Sequence, residues 1–274
     1  MEHPAPQCIL CGSAERTLLF RQGEWTVYTC KACGLGLLDP RPDALERIRL
    51  YEGAYFQSQY DGGLKAGSPE MKKRLSQETH RIRFIRKIRK QGHIVDVGCG
   101  MGYFLHACRQ AGYDVSGIDI SEDSAGYVRG ELKIPVRTGA IEKIDVPSGS
   151  VDIVTMWHFL EHTPDPRIYL ELARRWLKED GLIVVDVPNY AGTDAQKSWG
   201  GWKGWQLPFH LYHFTPETVT ALLDRHGFEV IRTKRYLSEY VKEKLSPIPL
   251  VGLLSRPIAR LFSGHSVAVL ARKR

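Results

Sequence analysis

The chain has 274 residues, 43% of them hydrophobic and 25% charged, which suits one large α/β unit plus a small appendage and excludes a disordered or collagenous chain. No apolar run approaches the ~20 residues that cross a bilayer, and the opening MEHPAPQCILCG lacks the basic flank and apolar core of a signal peptide, so a cytoplasmic, reducing location is expected. The net charge of +7 would favour an anionic partner, but the basic residues crowd positions 81–90 and 272–274, and such runs mostly coat solvated helix faces and tails.

The first 40 residues read as a separate module. They end at Asp39-Pro40-Arg41-Pro42, a stiff extended exit. Within it Cys8/Cys11 and Cys30/Cys33 form two C-x2-C pairs with 18 residues between them, each followed by glycine (Gly12, Gly34). This is zinc-ribbon spacing. Four thiolates close a tetrahedral site with no open position, so the Zn2+ is expected to be structural. The module is only mildly basic (Arg16, Arg21, Lys31) and has no aromatic stacking run, which argues against nucleic acid and for scaffolding or substrate binding. Residues 43–91 read mostly as helix, broken near Gly62-Gly63 and Gly67-Ser68-Pro69. In 70–90, Leu75, Ile82, Ile85 and Ile88 fall at roughly helical spacing.

From His93 strands and helices alternate. Strands are predicted at 93–97, 113–120, 136–138, 151–156, 182–187, 228–233 and 267–271. Helices are predicted at 103–111, from the Ser121 cap toward Leu132, at 165–178 and from the Thr215 cap to Gly227. A loop of about two dozen residues follows the fifth strand. The alternation predicts an α/β fold: a doubly wound, seven-stranded, mostly parallel sheet covered on both faces. The expected division is a ribbon at 1–40, a helical linker or lid at 41–90 and a catalytic domain at 91–274. An insertion at 237–264 precedes the last strand. Its apolar stretch Pro247-Ile248-Pro249-Leu250-Val251-Gly252-Leu253-Leu254 either packs on its own domain, covers the active site or, through 247–262, touches a membrane surface.

Asp96-Val97-Gly98-Cys99-Gly100-Met101-Gly102 lies between a strand and a helix, where doubly wound sheets bind ligands. Glycines there let a ligand approach the backbone. The spacing is G-x-G-x-G, and Tyr103 occupies the place of the third glycine in the dinucleotide fingerprint. The carboxylate of Asp96 suits a cationic ligand and repels a pyrophosphate. The second strand ends in Asp119, positioned to accept hydrogen bonds from ribose hydroxyls; the other reading, a cap for the next helix, is better filled by Ser121.

With these motifs in order, the chain resembles the class I S-adenosylmethionine-dependent methyltransferases, in particular bacterial members that pair this core with an N-terminal zinc ribbon. The resemblance covers roughly 1–40 and 75–274. It implies that Gly98, Cys99, Gly100 and Gly102 shape the turn around the methionine part and that Asp96 lies beside its ammonium. It further implies that Asp119 and Ile120 hold the ribose, that Ala140 and Ile141 contact adenine, and that Trp157 and His158 face the methionine moiety and the reacting methyl. Leu160-Glu161-His162, Asp165-Pro166 and Val187-Pro188-Asn189 match its neighbouring segments. Cys99 needs no catalytic role; a small, partly apolar residue fits a crowded turn.

Methyl transfer is an in-line displacement at a carbon already activated by the sulfonium, so the protein must align the nucleophile, exclude water and, for high-pKa nucleophiles, remove a proton. The candidate bases are His210, His213 and His162, with His158 on the cofactor side. Many members of the superfamily need none. Trp199, Trp202 and Trp205, interrupted by Gly200, Gly201 and Gly204, make either a mobile aromatic wall for a sugar, aromatic ring or lipid, or an ordinary loop buried against the core. The expected acceptor is a small molecule, sugar or lipid-linked glycan intermediate. The competing readings are a nicotinamide-dependent oxidoreductase, which Tyr103 and Asp96 disfavour, and a zinc-ribbon nucleic-acid adaptor on a degenerate core, which the intact motifs disfavour. A base-amino methylase is disfavoured by Trp157-His158-Phe159-Leu160 where such enzymes carry an Asn-Pro-Pro-Tyr-type sequence.

Overall fold

Two antiparallel strands, β1 (Arg16–Gln22) and β2 (Trp25–Cys30), open the chain in a computed structural model that describes residues 7–43, 46 and 63–274. β3 (Gly36–Leu38) pairs antiparallel with β2. Most of the helix expected over 43–68 lies outside the described residues. The first long helix, α1, is Pro69–Arg86. It starts where the sequence provides a start: the Ser68 hydroxyl accepts from Met71 N–H, and Pro69 sits in the first turn, where its missing N–H costs nothing.

Next come β4 (His93–Val97), α2 (Tyr103–Gln110), β5 (Asp114–Asp119), α3 (Glu122–Gly130), β6 (Val136–Thr138), β7 (Val151–Trp157), α4 (Pro166–Trp176) and β8 (Leu177–Pro188). They are followed by α5 (Thr193–Ser198), β9 (Tyr212–His213), α6 (Pro216–Arg225), β10 (Phe228–Leu237), α7 (Glu239–Leu245), α8 (Ser255–Ala259) and β11 (Ser263–Lys273). Ser121, Asp165, Thr215 and Ser238 each cap a helix through their side-chain oxygens, which satisfies amides the helix itself cannot pair.

The main sheet has seven strands in the order β10-β11-β8-β7-β4-β5-β6. Pairings from β8 through β6 are parallel, and β11 runs antiparallel to both its neighbours. The predicted mostly parallel, doubly wound α/β sheet is therefore what the chain forms. Its central strands are buried: Ile94, Val95, Val97, Ile153, Val154, Ile183, Val184 and Val185 are at most 2% exposed, as continuous apolar runs in a two-sided sheet require. The chain order reverses on either side of β4, which puts the ends of β4 and β7 at the switch point where ligands bind.

Several boundaries differ from the sequence expectation. The fifth strand of the main sheet begins at Leu177, not 182, because Leu177 leaves the helix in an extended conformation and pairs with Val151. Asp180, at φ 57°, lies in the bulge between the Leu177 and Leu182 pairings. The loop after β8 contains α5, a 3-10 turn at Trp199–Gly201, and β9. β9 joins the ribbon, pairing with β3 to give a second sheet, β1-β2-β3-β9. The insertion near 237–264 is two short helices and a 3-10 turn at Val251–Leu254 between extended β10 and β11. Among the described residues, no helix is long and apolar enough to cross a membrane.

Candidate active site and zinc centre

The glycine turn is built as its sequence demands. Gly98, Gly100 and Gly102 have φ of 73°, 50° and 65°, a left-handed region that L side chains enter only with strain. Two of these glycines also serve packing. A Cβ on Gly98 would lie 2.8 Å from Phe159 Cδ2, and one on Gly102 would lie 2.8 Å from Val128 Cγ2. The Cys99 thiol lies over Gly117, where a Cβ would approach its Sγ to 2.5 Å. Cys99 is buried, and burial pushes its thiol pKa well up, so it acts here as packing.

The two acids of the motif are both buried. Asp119 accepts from Gly100 N–H at 2.7 Å and from Ser121 N–H at 2.9 Å, so it braces the glycine turn at the end of β5 while Ser121 caps α3. Beside it Ile120 is 72% exposed, an apolar surface free to meet a ligand ring. Ala140 is exposed and Ile141 buried on the 3-10 turn after β6. Asp96 accepts from the Thr155 hydroxyl at 2.5 Å. Burial pushes its carboxyl pKa up to about 7, against the pull of Thr155 and Arg81.

Arg81 is a functional candidate, although in sequence it belongs to the basic run 81–90 expected on a solvated helix face. α1 delivers it to the site, where it lies 4.5 Å above the Trp157 ring and pairs with Glu78 at 3.0 Å. Its Nε is buried with no hydrogen-bond partner. Such an orphan donor is costly unless a ligand meets it. Phe104 packs edge-on against the other side of this cluster, 5.2 Å from Trp157. Trp157 Nε1 is likewise buried and unpartnered.

A cavity of about 750 Å³ opens beyond the ends of β4 and β7. Of the residues predicted from sequence, it brings together Gly98, Trp157, His158, His162 and His210. Asp96, Cys99, Gly100, Gly102, Asp119, Ile120, Ala140, Ile141 and His213 do not line it. The opposite wall is Trp202 with Asp194, Glu239 and Glu243. His158, at φ 52°, faces Glu161, with Nδ1 3.2 Å from Oε1. Burial works against its charge, but Asp186 and Glu161 outweigh that and raise its pKa. Burial lowers the pKa of His162 and lowers that of His210 well below the usual range. His213 is buried with neither ring nitrogen hydrogen-bonded, and burial lowers its pKa to about 3.

The tryptophan loop packs on the ribbon. Trp205 stacks on Phe20 of β1, with centroids 4.4 Å apart and planes 10° from parallel. Its Nε1 donates to Trp199 O. Trp202 and Trp205 are buried, and of the three tryptophans only Trp202 also lines the cavity. The wall is thus a loop anchored at its base.

In the ribbon, the Sγ atoms of Cys8, Cys11, Cys30 and Cys33 lie within 4.8 Å of one another. Gly12 N–H donates to Cys8 O and Gly34 N–H to Cys30 O, and both glycines take left-handed φ. These are two matching turns, each presenting a cysteine pair to the same point. A closed set of four thiolates fits a structural Zn2+.

The sheet order, the glycine turn with its bracing acids and the cavity at the switch point define a nucleotide-type α/β enzyme core. Residues 69–233 match the methyltransferase domain family, and the chain belongs to it, as a class I S-adenosylmethionine-dependent methyltransferase. The chain is 34% identical over 179 residues to the ubiquinone biosynthesis O-methyltransferase of Bordetella avium, covering 62% of this chain and 68% of that one. It is 28% identical over 142 residues to a probable S-adenosylmethionine-dependent methyltransferase of Mycolicibacterium smegmatis, covering 50% of this chain. It spans about half (52%) of that relative's length. A solved methyltransferase of Archaeoglobus fulgidus has the same fold, with a TM-score of 0.56, 24% identity and coverage of 73% of this chain and 94% of that one.

Proposed function

We propose that the protein transfers the methyl group of S-adenosylmethionine to a small-molecule nucleophile held in the 750 Å³ cavity. The observation that carries this reading is that one cavity joins the cofactor turn and the end of β7 (Gly98, Trp157, His158) to the histidines of the next two loops, His162 and His210. The donor's own chemistry is its sulfonium-activated methyl group. The chain's residues bind and orient it. The Asp96 carboxylate, whose Oδ1 accepts from Thr155, suits the ammonium, and the orphan Nε of Arg81 suits the carboxylate. Asp119 retains acceptor capacity for the ribose hydroxyls, and Ile120, Ala140 and Ile141 offer apolar contact to adenine.

The acceptor side favours a polar ring. Trp202 offers an apolar ring, and Glu239 and Glu243 offer acceptors for hydroxyls and repel phosphates, while Asp194 is held by Ser238 and by the amides of Glu239 and Tyr240. This supports a sugar or other polyhydroxylated acceptor and disfavours nucleic acid. The pathway named for the Bordetella avium relative, ubiquinone biosynthesis, supports a small-molecule acceptor more generally. Exposed Leu250, Leu253, Leu254, Leu261 and Phe262 stand among Arg256 and Arg260. They suit peripheral contact with a lipid surface and hence a lipid-linked acceptor. The division into a structural zinc ribbon at 1–40, a helical segment at 41–90 and a catalytic domain at 91–274 belongs to this reading. His162 and His210 act on the nucleophile, and His213, whose ring lies 6.2 Å from that of His210, stands behind the cavity wall.

The test is calorimetric titration with S-adenosylhomocysteine and, separately, NADH. S-adenosylhomocysteine is expected to bind, and Asp119→Ala to weaken it at least tenfold, about 1.4 kcal/mol. Binding of NADH alone would instead establish the oxidoreductase reading.

A further inference from the structure

We propose that Glu161, His162 and His210 form a second metal site, for one divalent transition cation, open toward the acceptor cavity. The three residues present a carboxylate oxygen and two ring nitrogens, all within 4.8 Å of one another. A cation bonded at ~2.1 Å to nitrogen and oxygen donors draws them closer than this, to about 3.4 Å.

Their spacing is set by the backbone. Glu161 and His162 are consecutive on the 3-10 turn Leu160–His162. His210 comes from the loop after β8, and the next residue, Leu211, donates its N–H to Glu161 O at 2.7 Å. The two loops are therefore tied beside the three side chains. The His162 and His210 rings meet edge to face, with centroids 4.5 Å apart.

The hydrogen bonds around the group are those of ligands. His210 Nδ1 is 2.8 Å from Gly204 O. A carbonyl only accepts, so Nδ1 carries the proton and Nε2 is left as a lone pair. The His162 ring also hydrogen-bonds with the Phe209 backbone. A backbone carbonyl on one ring nitrogen is the usual way a metal-binding histidine is oriented. Glu161 is fully buried; Oε1 is engaged by His158, while Oε2 is buried with no hydrogen-bond partner. Burying the second carboxylate oxygen without a partner is costly, since the His158 ring engages only Oε1. A dication removes that cost.

Two imidazoles and one carboxylate select borderline cations such as Zn2+, Mn2+ or Fe2+ over Mg2+ or Ca2+. Three protein ligands leave coordination positions open, the catalytic pattern rather than the structural one. His162 and His210 line the cavity with Gly98 and Trp157, so the open positions face the acceptor. An acceptor hydroxyl bound there loses its proton to solvent more readily and is held as an oxyanion. This role rests on the methyltransferase reading; metal binding itself does not.

The test is metal content by atomic emission on the full-length chain, equilibrated with micromolar Zn2+ and desalted. About two zinc ions per chain are expected: one in the four-cysteine site, one here. Glu161→Gln and His210→Ala should each hold about one. One zinc in the wild type, or two in both variants, overturns the proposal. Should the variants fail to fold, Co2+ titration of the wild type decides. The first equivalent should show intense thiolate charge-transfer bands, and the second only weak visible bands. Saturation at one equivalent overturns the site. S-adenosylhomocysteine is titrated into the same samples. Its binding without a second metal refutes this site alone; a second metal without its binding refutes the methyltransferase reading alone.

Discussion

Gly36 of the ribbon pairs in register with His213 of the loop after β8, so closely that a Cβ on Gly36 would stand 2.7 Å from His213 Cβ. Leu38 N–H donates to Leu211 O, the Tyr190 hydroxyl donates to Gly34 O, and Phe20 stacks on Trp205. The ribbon therefore backs the loop that carries Trp202 to the cavity. Gly36→Val should force these strands apart and destabilise the protein by about 1–3 kcal/mol, the usual cost of overpacking a tight contact. The measurement is the urea midpoint; an unchanged midpoint would show that the β3–β9 contact carries no stability.

The same junction predicts what breaking the four-cysteine cluster does. Cys11→Ser should loosen the ribbon and, through β3, release β9 and the loop before it. Amide exchange should rise at 211–213 as well as in 8–38, while β4 and β5 keep their protection. Exchange mass spectrometry reads this directly. Faster exchange confined to 8–38 would mean that the wall holds without the ribbon.

Why this junction escaped the sequence is physical. β9 is two residues long, too short for any periodicity, and its partner lies more than 170 residues earlier. The strands of the main sheet were legible because each is an apolar run bounded by turn residues. The helices were legible because Ser121, Asp165-Pro166 and Thr215-Pro216 are caps that act locally. The glycine turn was legible for the same reason: three glycines at positive φ are a local demand. Arg81 was not. In sequence it is one of several basic residues in 81–90; only the packing of α1 singles it out, by laying it over Trp157. Glu161 was read only as part of a matching segment, since its burial against His158 and the loop after β8 is set by tertiary contacts.

The raised pKa of Asp96 gives a pH prediction. Burial holds this carboxyl near 7 in the free protein, so it is partly protonated at pH 6–7. A ligand ammonium beside it favours the ionised form and lowers that pKa. Proton and ligand then compete: affinity for S-adenosylhomocysteine should fall as pH drops through about 7, by up to tenfold per unit. Below pH 7, up to about one proton should be released on binding. Titration calorimetry in buffers of different ionisation enthalpy measures both quantities. In Asp96→Asn the proton release should vanish and the affinity become weak and flat with pH. A wild-type affinity independent of pH between 6 and 8 would remove the ammonium from Asp96.

Gly102 joins the glycine turn to the fold, and its two constraints can be separated. Its φ of 65° penalises any side chain, by about 1–2 kcal/mol for alanine. Independently, the added methyl would press on Val128, whose Cγ2 and Cγ1 would lie 2.8 and 2.9 Å away, and crowding of that kind costs about 1–3 kcal/mol. Gly102→Ala should therefore destabilise by roughly 2 kcal/mol or more. Val128→Ala alone should also destabilise, because it empties part of the core under α2. In the double variant the methyl has room, so the penalties should fall short of additive by about 1 kcal/mol or more, the signature of a shared contact. The part that does not recover is the backbone strain. Full additivity in chemical denaturation would mean that α3 shifts to admit the methyl, leaving φ as the only reason for glycine at this position.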